Sequence, residues 1–234
     1  VQDKIRHGVL PLMEIPGNIM KTMQLLDDPD FSYREVSSLV ERSPGMAGEF
    51  LKVANSSLLG SGATIHDLKA AMPRLGKVKI KSMLYMYSAK TAYLNKSLFN
   101  DLAVDIVEHS YAVGLIAGYL SQRYFPDPDI AFFAGLLHDI GKLAILKSII
   151  DSYNLPRTNM IFREEIFDRI FPGLHEKVGV YIAKNWDIDE LVRAAVLHHH
   201  DLYIATNEYK NKEMAETLCA LIQISDIIAR ILGK

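Results

Sequence analysis

An apolar run, Phe132-Phe133-Ala134-Gly135-Leu136-Leu137, ends abruptly in His138-Asp139-Ile140-Gly141-Lys142. The run predicts a buried helix, and its end then places an imidazole, a carboxylate, a glycine and an amine within five positions. Gly141 is expected to let the backbone turn sharply, with a further helix over Lys142 to Ile150. Buried polar groups need partners, because an unpaired carboxylate away from water is costly. Adjacent His138 and Asp139 can both turn toward one metal ion, and Lys142 would sit where its amine reaches an anionic oxygen. A packed helix–turn–helix with capping polar residues is the plainer account of the same segment.

The rest of the chain repeats the helical period and never alternates with period two over a useful length. Ser32 with Glu35 has the pattern of a capping box, and Ser43-Pro44 reads as an N-cap followed by proline at the first helical position. Helices are expected from Thr64 to Gly76 and over 77–94. Asn95 to Asn100 is the expected junction, which gives an N-terminal helical lobe over 1–97 and a second lobe over 98–234. In the second lobe Leu102, Ile106, His109, Val113, Ile116 and Leu120 share one stripe, so His109 is expected to face inward. A helix over about Ile161 to Ile170 precedes His175, and another ends in His198-His199-His200. The last helix carries Ala215, Cys219, Ile222, Asp226 and Ala229 on one stripe.

Composition narrows the partners. With 26 Lys and Arg against 28 Asp and Glu, the net charge of −2 provides no general basic field for nucleic acid. The one cysteine, Cys219, rules out an internal disulfide and fits a reducing compartment. No apolar run reaches the roughly 18 residues of a membrane span. A cytoplasmic protein without a membrane partner is the expectation.

His109, His138, Asp139, His175, the His198–His199 pair and Asp226 call for a common explanation. Nearly every helix end or inward stripe after residue 100 contributes an imidazole or a carboxylate. Asp226 stands out, since a carboxylate on an apolar stripe needs an ion pair or a metal. Such a donor set suits iron, manganese, zinc or nickel better than magnesium. Two ions roughly 3.5–4 Å apart could activate water and clamp a phosphoryl oxygen.

In that order the motifs resemble the HD superfamily of metal-dependent phosphohydrolases, and within it the HDOD (HD-related output domain) signalling proteins. Leu25-Leu26-Asp27-Asp28-Pro29-Asp30, Leu51-Lys52-Val53-Ala54-Asn55-Ser56, Ala71-Met72-Pro73-Arg74-Leu75-Gly76, the His138-Asp139 segment and Val178-Gly179 carry the resemblance from about Val9 to Ile231. It implies an all-α fold in two helical lobes, the C-terminal one an HD-type bundle, and a bacterial signalling role. It further implies one or two divalent transition-metal ions, iron or manganese first, held by His109, His138, Asp139, His175, His198, His199 and Asp226. Asp139 and Lys142 would be the catalytic residues of an active member. Asp105 occupies the place of an extra acidic ligand in the related HD-GYP phosphodiesterases, although no Gly-Tyr-Pro element follows His200-Asp201.

Three readings follow. The first is an output module whose metal site is retained and which works by binding a signalling partner, an adjacent sensory domain or a nucleotide. The second is an active phosphohydrolase on a nucleotide or cyclic dinucleotide. The third, nucleic-acid binding by the N-terminal lobe, rests on Lys77, Lys79 and Lys81 and is the least favoured. If Asp139 ligates an ion, its loss from metal-free protein is expected to cost little stability.

Overall fold

The computed structural model describes residues 15–59, 63–91, 100–153, 173–201, 204 and 209–234, and these contain helices and no strand. In chain order they are α1 (Gly17–Asp27), α2 (Tyr33–Val40), α3 (Pro44–Ala54), a 3-10 turn (Ser57–Leu59), α4 (Leu68–Thr91), α5 (Asn100–Tyr124), α6 (Pro128–Leu137), α7 (Ile140–Tyr153), α8 (Leu174–Asn185), α9 (Glu190–His198) and α10 (Lys212–Ile231). The all-α expectation holds. No helix among the described residues is long and apolar enough to cross a membrane.

Two compact units divide between Ser88 and Ala89. The boundary at 97/98 expected from the sequence, and the helix expected over about Ile161 to Ile170, lie outside the described residues.

In the first unit the turn chemistry is local and legible. The Arg34 N–H donates to Ser32 Oγ at 3.3 Å, which caps α2. Pro44 opens α3 as expected, but the Ser43 hydroxyl makes no cap; it pairs with the Tyr87 hydroxyl at 3.0 Å. Gly76, at φ 76°, breaks α4 where the sequence ends one helix and begins the next. The Asn55 side chain holds the segment after the 3-10 turn: its Oδ1 accepts from Ile65 N–H at 2.8 Å and its Nδ2 donates to the Ile65 carbonyl at 2.8 Å. Arg74 donates to the carbonyls of Ala54 and Ala63. The Asn55 and Arg74 motifs thus have a structural use in this unit.

The second unit is a helical bundle in which α6 packs against α5, α9 and α10, and α7 against α8. Asp127 starts α6 by accepting from Asp129 N–H at 3.0 Å and Ile130 N–H at 3.1 Å. Nearly every residue from Ala131 to Leu146 is buried, so the polar end of the apolar run is carried into the core. Glycines let the backbones approach: a Cβ on Gly135 would come within 2.8 Å of Gly114 Cα on α5. Gly141 does not turn the chain. It lies inside α7 with no positive φ, and a Cβ there would overlap the His175 carbonyl oxygen of α8. The turn itself falls at His138–Asp139, where both residues leave α6 together.

Candidate metal centre

The turn between α6 and α7 points two polar side chains inward, and α5, α8, α9 and α10 each bring one or more to meet them. His138 Nε2 lies 3.2 Å from Asp139 Oδ2, and Lys142 Nζ lies 2.8 Å from the same oxygen. The other carboxylate oxygen, Oδ1, faces His175 Nε2 at 3.5 Å and His199 Nε2 at 3.6 Å. His109 Nε2 on α5 approaches Asp226 Oδ1 on α10 to 2.8 Å. The His109 and His138 rings are 5.4 Å apart, and those of His138 and His199 are 5.1 Å apart.

Two donor groups result, His109 with His138 and Asp226, and His175 with His199 and His200; within each, the ligand atoms lie within 4.8 Å of one another. Asp139 stands between them with one oxygen toward each. Metal–ligand bonds of about 2.0–2.2 Å place two donors of one ion roughly 3–4 Å apart, the scale seen here.

Hydrogen bonding already orients two of the imidazoles. His138 Nδ1 donates to the Gly135 carbonyl at 2.7 Å and His199 Nδ1 to the Val196 carbonyl at 3.0 Å. In both, Nε2 is left turned toward the centre, as in metal-bound histidines. Buried atoms without an aligned hydrogen bond among the described residues include His109 Nε2, His138 Nε2, His175 Nδ1 and both oxygens of Asp139. Of these, His109 Nε2 and Asp139 Oδ2 have the ion-pair partners given above and His175 Nδ1 faces Glu176. His138 Nε2 and Asp139 Oδ1 remain toward the centre, where an unsatisfied atom costs about 1–3 kcal/mol and a cation would satisfy both. Imidazole and carboxylate donors suit a divalent ion.

The electrostatics agree. Burial pushes the Asp139 carboxyl up, yet the charges of His138 and Lys142 outweigh it and hold the group well below the usual carboxylate range. For His175 burial dominates, with Lys142 and His199 adding to it against Asp139, and its pKa falls to about 3. It is therefore uncharged and able to ligate at neutral pH. His200 is lowered too, by burial and by His199. His109 shifts the other way: burial opposes its charge, but contact with Asp226 and the field of Asp139 raise it. Asp226 is lowered because His109, His138 and Arg230 overcome its burial.

Of the residues expected from sequence, His109, His138, Asp139, His175, His199 and Asp226 converge, together with Lys142. His198 does not join a donor group. Its Nδ1 is 2.6 Å from Asp201 Oδ2 and its Nε2 is 2.9 Å from the Tyr209 hydroxyl, so both ring nitrogens are engaged elsewhere. The exposed His200 takes that place, since the helix ends at His198 and the following turn swings the next two residues round. Asp105 is exposed and belongs to neither group. Lys142, with no exposed surface, directs its amine at Asp139. Glu176, buried beside His175, was not singled out from the sequence.

An all-helical unit that gathers imidazoles around an adjacent His-Asp pair defines the HD type of helical domain. The HDOD domain model matches residues 12–202, and the chain belongs to the HDOD family. An uncharacterized protein of Treponema pallidum (strain Nichols) is 22% identical over 210 residues, 84% of this chain and 39% of that protein. Ribonuclease Y of Thermus thermophilus is 28% identical over 118 residues, 50% of this chain and 15% of the enzyme. The chain thus spans well under half the length of these curated relatives. Among solved structures, a candidate metal-dependent phosphohydrolase from Shewanella amazonensis SB2B covers 100% of this chain and 82% of its own, with a TM-score of 0.76 at 19% identity. An HDOD domain protein of unknown function from Geobacter sulfurreducens covers 98% and 76%, with a TM-score of 0.63 at 23% identity. These structures share the fold.

Proposed function

We propose that the protein is an HDOD signalling output module with a divalent-metal centre that stabilises one state of the domain, and that it acts by binding a partner protein, a neighbouring sensory domain or a nucleotide. The observation that carries this reading is burial. His138, Asp139, Lys142, His175 and His199 are each 3% exposed or less, which favours a structural ion over a catalytic one with an open position, although the donors His200 and Asp226 reach the surface. Iron or manganese is the preferred ion on the family resemblance, with zinc or nickel equally suited to the donors.

A second reading, hydrolysis of a phosphodiester or phosphomonoester, draws on the placement of Asp139 between two donor groups and on the likeness to ribonuclease Y. Bound divalent ions would supply Lewis-acid activation of a phosphoryl oxygen and of water. Lys142 would keep Asp139 ionised, His175 would stay uncharged, and the exposed His200 would lie where a substrate could enter. The nucleic-acid reading stays the least favoured of the three. Lys81 Nζ is paired with Asp27 at 2.7 Å, and Lys77 lies over the Phe31 ring.

The deciding experiment purifies the protein without chelator or nickel resin, measures bound metal, and follows melting temperature and phosphodiesterase turnover as manganese is added. Stabilisation by metal without turnover is the expected result. Turnover that vanishes in Asp139→Asn would replace the first reading with the second. Absence of both metal binding and stabilisation would remove the metal centre.

A further inference from the structure

Three of the imidazoles in the centre need an acceptor for the ring nitrogen that faces away from it, and the fold does not treat them alike. His138 and His199 stand at the C-terminal ends of α6 and α9. There the carbonyls of the last turn lack helical partners, and each ring takes the one three residues back, Gly135 and Val196. His175 stands instead in the first turn of α8, where the backbone presents N–H groups and no spare carbonyl. An imidazole placed there must find its acceptor on a side chain.

Glu176 is in position to be that acceptor. Its Oε2 lies 3.3 Å from His175 Nδ1. Both atoms are buried, and neither has an aligned hydrogen bond among the described residues. A small rotation of either side chain would align them. The helix N-terminus also favours a carboxylate at this place, so the negative charge is tolerated in an otherwise apolar setting. We infer that Glu176 is the positioning residue of the His175–His199–His200 group: by accepting from His175 Nδ1 it turns Nε2 into the centre and makes that imidazole a stronger ligand. The inference rests on the divalent-metal reading of the centre. It also divides the centre in two, because among the described residues the His109–His138–Asp226 group has no such carboxylate behind a ligand ring.

The plainer role for a glutamate three residues after the N-cap is to cap α8 through the backbone. That role stabilises the fold with or without metal, so the two can be separated. Chelator-treated full-length protein is titrated with manganese chloride by calorimetry, and the step lost in His200→Ala identifies the group in question. Glu176→Gln, which keeps the shape and any capping bond, and Glu176→Ala are then compared. The expected result is a 10- to 100-fold weakening of that one step, larger in the alanine variant, with the other step unchanged. In Glu176→Gln the metal-free melting temperature should stay at the wild-type value. Unchanged manganese binding in both variants would overturn the inference while leaving the metal centre intact. Equal weakening of both steps would also overturn it, as a global effect. A wild-type protein that takes up no manganese would overturn the metal reading and this inference together. Should Glu176→Ala not fold, Glu176→Gln alone carries the test.

Discussion

Lys142 Nζ lies 2.8 Å from Asp139 Oδ2, and neither side chain is more than 1% exposed. Asp139 lies just before α7 and Lys142 in its first turn, a spacing of three that brings the ammonium onto the carboxylate. This relationship changes what the loss of Asp139 should do. On the sequence alone, removing one of several unneutralised ligands from metal-free protein should cost little. With the pair buried, Asp139→Ala removes the carboxylate that faces a buried ammonium, and breaking such a pair costs about 3–5 kcal/mol. Urea unfolding in chelator should show a loss of that order for Asp139→Ala and for Lys142→Ala. The double variant Asp139→Asn/Lys142→Met should recover part of it. Single variants within about 1 kcal/mol of wild type would mean that the pair is far weaker than its burial implies.

The assignment of His200 in place of His198 has its own test. His198→Ala removes a ring already held by Asp201 and Tyr209, so bound metal per chain should be unchanged. His200→Ala removes a donor of the His175 group and should lower it. Elemental analysis of the two variants side by side decides, and the opposite order would return His198 to the ligand set.

Why the sequence reached so far, and where it stopped, can be seen in these residues. Helix existence, the cap at Ser32 and the break at Gly76 are local events, set by propensity and by side chains within a few positions. The inward facing of His109 followed from its stripe. The choice among three consecutive histidines did not, because it depends on how the chain leaves α9. Gln223 of α10 fixes that exit by donating to the carbonyls of His198 and Asp201, a contact across more than twenty residues. Gly141 was misread for a similar reason: a glycine after a polar pair suggests a turn, while its real constraint comes from α8 passing behind it. Glu176 carried no signal because a glutamate at a helix start is ordinary.

Cys219 gives a prediction away from the centre. It is free and 3% exposed, and burial, with help from Asp201 and Glu216, pushes its thiol up to about 12. A thiol in the unfolded chain ionises near 8.5. The folded form therefore binds its proton more tightly, and the stability this contributes is complete below about pH 8.5 and is lost as pH rises toward 12. The gap in urea midpoint between wild type and Cys219→Ala should narrow from pH 8 to pH 10. At pH 8 a thiol reagent should label the native protein far more slowly than the protein in denaturant. Labelling at equal rates would show that the side chain is open to solvent.

The contact at Gly141 is the sharpest test of the packing that builds the centre. A Cβ at this position would overlap the His175 carbonyl oxygen and approach Gly179 N to 2.7 Å, and both obstacles are backbone atoms that cannot rotate away. Overpacking a core usually costs about 1–3 kcal/mol, and Gly141→Ala should lie at or above the top of that range. The strain should also move α8 relative to α7, and with it His175 relative to Asp139, so manganese affinity should fall along with stability. Gly48, on the exposed side of α3 with nothing within 4 Å of an added Cβ, is the control. There alanine removes backbone freedom from the unfolded chain and should stabilise by about 0.5–1 kcal/mol. Urea unfolding of both variants reads the two signs. If Gly141→Ala were as well tolerated as Gly48→Ala, α7 and α8 would not be in backbone contact, and His175 would have no fixed place opposite Asp139.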